Sequence, residues 1–65
     1  MIPNLLNENR SRWRVVIVYD RASYVYDRWE PEQAHANISA LSQFYEEHPE
    51  YAVWPVQVES KAVHQ

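Results

Sequence analysis

The sequence predicts an α+β domain: a three-stranded antiparallel sheet in the chain order β-β-α-β, sheet order 2-1-3, with one amphipathic helix packed on one face. Three observations predict it. Residues 12–20 are β-branched and aromatic, with apolar side chains at both parities, as in a strand at the centre of its sheet. A second such run follows after a short polar turn, which is the spacing of a hairpin. One segment, 31–47, then shows helical periodicity before a further Val-rich run.

The first strand, 12–20, places Trp13, Val15, Ile17 and Tyr19 on one face and Arg14, Val16, Val18 and Asp20 on the other. Residues 20–23 form the turn. With neither Asn-Gly nor Asp-Gly available, a type I′ loop is disfavoured, and a four-residue connection built on a type I turn is expected. The second strand is read at 23–29. Pairing Tyr19 with Tyr24 puts Tyr24, Tyr26 and Arg28 on the face of Trp13 and Ile17. Val25, Asp27 and Trp29 then join Val16 and Val18. A two-residue loop gives the same faces.

The helix is read from Pro31, which suits the first helical position, to Glu47; His48-Pro49 ends it. Ala34, Ile38, Leu41 and Tyr45 recur at helical spacing as the expected buried stripe, with Phe44 alongside. Glu32, His35, Ser39, Gln43, Glu46 and Glu47 fill the opposite side. The third strand is read at 51–59, carried by Val53, Trp54, Val56 and Val58, with Pro55 restricting it to an edge or a bulge. Residues 1–10 read as an N-terminal arm, 11–59 as the domain and 60–65 as a polar tail.

Composition narrows the function. The 65 residues include no Cys and no Gly, which excludes disulfides, thiolate metal sites and Gly-rich phosphate loops. Hydrophobic residues make up 46%, too many for a disordered tail. A core of this size seldom supplies more than about 3–5 kcal/mol, so association is the expected source of further stability. Net charge is −3, split as +2 over residues 1–28 and −5 over residues 29–65. The N-terminus lacks the basic and apolar regions of a signal peptide, and no apolar run reaches membrane-spanning length. The expectation is a short cytoplasmic gene product that needs no membrane.

Chemistry is sparse. His35, His48 and His64 have no zinc-helix spacing and read as solvated; the serines sit in no nucleophile motif. We expect no catalytic residues, no metal, no cofactor and no small-molecule substrate. One helix cannot cover both faces of a sheet. The face with the larger aromatic payload, that of Trp13, Ile17 and Tyr26, is assigned to the helix. Val16, Val18, Val25, Trp29 and Trp54 are left as an apolar protein interface, with Arg14 and Arg28 to orient a partner. The occupant is expected to be a second copy in a dimer, a host protein, or both. An alternative is a nucleic-acid surface of Arg10, Arg12 and Arg14 with Trp13, by the stacking-plus-cation logic of single-strand-binding sheets. The negative net charge disfavours it.

Trp54-Pro55-Val56 is similar to a segment of the MbtH-like proteins. There the Trp-Pro segment precedes the helix, whereas here it follows, so that family is rejected. As a whole the chain resembles the small orphan proteins of bacteriophage genomes. That resemblance implies a non-catalytic protein that binds and modulates a host protein by masking its surface.

Overall fold

The computed structural model describes residues 10–52 and 55–63. Strand β1 (Ser11–Tyr19) is central, flanked by β2 (Ala22–Glu30) and β3 (Gln57–Ala62), with both pairings antiparallel and the order β2-β1-β3. Helix α1 (Gln33–Glu47) packs on one face. The α+β fold and the 2-1-3 order expected from the sequence are the ones found. The cause is the one anticipated: β1 has the most apolar sequence and takes the position with neighbours on both sides.

The hairpin departs from expectation. Tyr19 pairs with Ala22, so only Asp20 and Arg21 form the loop. Both have positive φ, 52° and 73°. This is the two-residue geometry in which both loop residues occupy the left-handed region, as a type I′ turn requires. Asp tolerates that region, but Arg has no special aptitude for it. The right-handed twist of the two nine-residue strands prevails over the missing glycine. Tyr24 consequently lies opposite Ile17 rather than Tyr19. The shift is two residues, so every side chain keeps its assigned face.

The core lies between the sheet and α1. Val15, Ile17, Tyr26, Ala36, Ala40 and Phe44 are buried, and Trp13, Tyr19, Tyr24 and Val58 pack against them. Full burial of a side chain such as Phe44 or Ile17 contributes about 1.5–3 kcal/mol. The helix is turned differently from the expected arrangement. Its buried stripe is Ala36–Ala40–Phe44, whereas Ile38 is 62% exposed and Ala34 is also exposed. Leu41 and Tyr45 are only partly buried against the edge of the core. The two stripes are separated by about a third of a turn around the helix. The sheet already supplies bulky Trp, Tyr and Ile side chains, so the close approach falls to small alanines. Phe44 alone fills the remaining gap at the helix end.

The segment after α1 also differs. The strand expected at 51–59 is found only over its last three residues, and Val53 and Trp54 lie outside the described residues. Pro49–Tyr51 forms a 3₁₀ turn, and β3 begins only at Gln57, past Pro55. The ring of Tyr51 is sandwiched between Tyr19, 4.0 Å away, and His48, 4.9 Å away, with interplanar angles of 16° and 10°. That stack holds Tyr51 in the turn. His48 is therefore not solvated as expected; it is half-buried and also lies 5.1 Å from Tyr24 and 5.3 Å from Phe44. At its other end β3 runs to Ala62, so Ser60 to Ala62 belong to the strand rather than to a tail. Ser60 pairs with Val15 and Ala62 with Trp13.

Candidate binding face of the sheet

Pairing across an antiparallel ladder puts opposed residues on the same face. The face away from α1 is therefore set by register. Running from the hairpin end, its rows are Ser23–Val18–Gln57, Val25–Val16–Glu59 and Asp27–Arg14–Lys61, followed by the pair Trp29–Arg12. Val25 is 58% exposed and Trp29 54%; Val16 and Val18 are half-buried by their strand neighbours. The structure thus brings together Val16, Val18, Val25, Trp29 and Arg14. Trp54 lies outside the described residues, as does the N-terminal arm apart from Arg10.

Arg28 does not belong with them. Its position in β2 turns it toward α1, where Nε donates to Ser39 Oγ at 3.0 Å and the guanidinium sits 5.4 Å from the centre of the Tyr26 ring. Odd and even positions of one strand cannot share a face, so Arg28 cannot act beside Trp29. Nor do the alternative nucleic-acid residues converge. Arg12 and Arg14 are on the open face, whereas Trp13 faces the helix side and donates Nε1–H to the Glu30 carbonyl at 3.0 Å. Arg10 is exposed just before β1.

Asp27, which the sequence reading did not single out, organises one end of the face. Arg12 Nη2 donates to Oδ2 at 3.1 Å and Arg14 Nε to Oδ1 at 3.2 Å, so one carboxylate bridges two guanidinium groups. The Arg14 hydrogen bond, then that of Arg12, holds the Asp27 carboxyl below its ordinary pKa. A signal was present: Arg12, Arg14 and Asp27 have parities that place them on one face. The surface is therefore not one continuous apolar cluster. A Val16–Val18–Val25 patch and the Trp29 ring are separated by a charged row. Beside that row, an open depression of about 260 Å³ is lined by Arg14, Val16, Glu59, Ser60 and Lys61. Ligand pockets generally measure about 300–1,000 Å³.

The opposite side of the sheet holds the other polar contacts. Tyr26 O–H donates to Glu47 Oε1 at 3.0 Å, and Gln43 Nε2 donates to Glu47 Oε2 at 2.7 Å. Burial of the Tyr26 ring, then the hydrogen bond to Glu47, pushes the phenol above its usual range. The Gln43 amide, then the Tyr26 hydroxyl, lowers the Glu47 carboxyl. The Tyr26–Glu47 bond fastens the helix to β2, and the Gln43 bond, within the helix, holds the carboxylate in place. Among the described residues, no three metal-ligating side chains converge, and no helix is long and apolar enough to cross a membrane.

No family model matches the chain, and neither a curated protein nor a solved structure matches it.

Proposed function

We propose that this chain is a small non-catalytic protein-binding module that docks through the face of its sheet that the described residues leave uncovered. The observation that carries the reading is that face itself. Val25 and Trp29 are each more than half exposed on a sheet whose other face is packed by α1. Isolated exposed apolar residues are ordinary, but here Val25 joins Val16 and Val18 in one patch, and Trp29 lies on the same face beyond the Asp27–Arg14–Lys61 row. Trp and Arg are the side chains most enriched at the centres of interfaces, and Trp29 and Arg12 are direct cross-strand neighbours. The Asp27 bridge holds Arg12 and Arg14 in place and so lowers the entropy lost on docking. The module acts in the cytoplasm by masking the surface of its partner, as a small bacteriophage protein would mask a host protein, and it also self-associates.

The test is affinity capture with two baits, the wild-type chain and a double variant, Val16→Lys with Trp29→Ala. The lysine faces Glu59 across the ladder, so circular dichroism should show both baits folded. A protein retained by the wild type and lost by the folded variant supports the reading. A protein retained equally by both, or none retained by either, overturns it.

A further inference from the structure

The hydrogen-bonding sense of the ladders identifies a second feature of the same region. The Val63 amide donates to the Arg12 carbonyl at 2.7 Å, so Arg12 and Val63 are a hydrogen-bonded pair. Such pairs alternate along an antiparallel ladder. Arg14, Val16 and Val18 therefore bond toward β3, and Trp13, Val15 and Ile17 bond toward β2. On β2 the bonded residues are then Tyr24, Tyr26 and Arg28, while the N–H and C=O groups of Ser23, Val25, Asp27 and Trp29 point outward from the sheet. Two side-chain contacts agree with this phase. Arg28 Nη1 donates to the outward Asp27 carbonyl at 2.8 Å, and Gln33 Nε2 donates to the outward Ser60 carbonyl of β3 at 2.9 Å.

The two edges of the sheet are thus unequal. β3 is six residues long and has Gln33 laid against the middle of its edge, bonded also to Ser60 Oγ. β2 is nine residues long, contains no Pro, and has a side-chain cap at only one of its outward carbonyls among the described residues. A long edge with unpaired backbone groups is a template for another strand.

We propose that β2 pairs antiparallel with β2 of a second copy of this chain, about a two-fold axis at Val25. The outward groups restrict the possible axes. Along the paired stretch an outward residue must meet an outward residue, so every register one residue away is excluded. An axis at Asp27 sets two carboxylates face to face, which is destabilising. An axis at Tyr26 sets the Asp27 carboxylate against Val25 of the partner. An axis at Tyr24 shortens the ladder to Ala22–Tyr26, because Asp27 and Arg28 then meet the hairpin loop. At Val25, valine meets valine, Ser23 meets Asp27 so that its hydroxyl can donate to the carboxylate, Tyr24 meets Tyr26, and small Ala22 leaves room for Arg28; the ladder ends there, with Trp29 level with the loop residue Arg21. The Asp27 carbonyl exchanges its Arg28 contact for a ladder bond. The result is one six-stranded sheet with two helices on one side and two copies of the open face on the other. This deepens the binding-module reading and rests on its premise that the sheet's uncovered region is where protein docks.

Multi-angle light scattering across a concentration series tests it on the full chain. The wild type is expected to rise to twice its 7.8 kDa monomer mass. Val25→Pro removes an amide that faces away from β1, so the monomer's own ladder is intact and the variant is expected to stay monomeric. Should that variant fail to fold, Val25→Lys and Val25→Glu replace it: each alone is monomeric, and their equimolar mixture recovers the dimer. A wild type that remains monomeric overturns the proposal, as does a dimer unaffected by these variants or a mixture of folded Lys and Glu variants that does not assemble. A monomeric wild type that still captures a protein through Val16 and Trp29 sinks the self-pairing alone. Loss of that capture with the dimer intact sinks the docking face alone.

Discussion

The two faces of this sheet are built from adjacent residues of the same strands and meet opposite fates. Val15 and Ile17 are fully buried under α1, while Val16 and Val18, one position away, remain half-exposed. Tyr26 is buried and its neighbours Val25 and Asp27 are exposed. The covered face uses apolar contact, with aromatic rings around Phe44 at centroid distances of 5.1 to 6.4 Å. The open face uses a charged bridge at one end and a valine patch at the other. The buried side chains among the described residues all lie on the helix side, so substitutions on the other face are expected to act more on binding than on stability.

The largest expected effect lies on the covered face. Phe44→Ala removes the one bulky residue of the helix stripe and should cost about 3–5 kcal/mol. For a chain of this size that approaches total stability, so thermal denaturation should show loss of the cooperative transition. Ala40→Leu forces extra volume between helix and sheet and should destabilise by about 1–3 kcal/mol. Ile38→Ala, only two positions away on the helix, should change stability by no more than about 0.5 kcal/mol, because its side chain is exposed. Equal losses for Ala40→Leu and Ile38→Ala would erase the distinction between the two stripes.

The hairpin offers a gain rather than a loss. Arg21 holds φ at 73°, and Arg21→Gly removes the steric cost of that conformation. Urea denaturation should show stabilisation of about 1 kcal/mol, with both faces unchanged. No change in the midpoint would argue that the loop stores no strain.

The open face should give the smallest effects on stability. Trp29→Ala should leave the melting transition nearly unmoved while abolishing partner capture. Asp27→Asn breaks the double ion pair and should cost about 0.5 kcal/mol at neutral pH, since both guanidinium groups and the carboxylate are partly exposed. Its pH dependence has a definite sign. The folded-state pKa of Asp27 is depressed, so its contribution is present above the ordinary carboxylate pKa of 3.8 and is lost as pH falls through the lower folded value. Acid titrations of the wild type and Asp27→Asn should therefore converge at low pH. Curves that stay parallel throughout would remove the bridge from the account.

Much of this contrast is legible in the sequence. Parity along the first two strands assigned Val15, Ile17 and Tyr26 to one face and Val16, Val25 and Asp27 to the other, and parity survives a two-residue error in register. The two-sided apolar pattern of β1 gave the strand order. What misled was relative size. Hydropathy weights Ile38 above Ala36 and Ala40, but a helix lying on tyrosines and isoleucine must present small residues. The turn was misread because Asp20 and Arg21 lack the usual glycine, although strand twist decides the geometry. The Val-rich run after Pro49 looked extended, yet stacking between Tyr19 and His48 holds Tyr51 in a turn. Val16, Val18, Val25, Trp29 and Arg14 share the face that parity assigned them, whereas Arg28 follows its own parity to the helix and Trp54 lies outside the described residues. Asp27 was visible as a residue but not as a bridge, since that role needs Arg12 and Arg14 within hydrogen-bond reach.

The measurement that bears most directly on the account uses the absence of native cysteine. Single variants Val15→Cys and Val25→Cys place one thiol on each face of the sheet, and their rates of modification by a soluble thiol reagent can be compared in the dilute monomer. Cys at position 25 is expected to react at close to the rate of an unprotected thiol and to slow when a partner or a second copy docks, while Cys at position 15 is expected to react only as the chain unfolds. Equal protection at both positions in the dilute monomer would mean that the chain covers its own sheet on both sides, and would contradict the central claim.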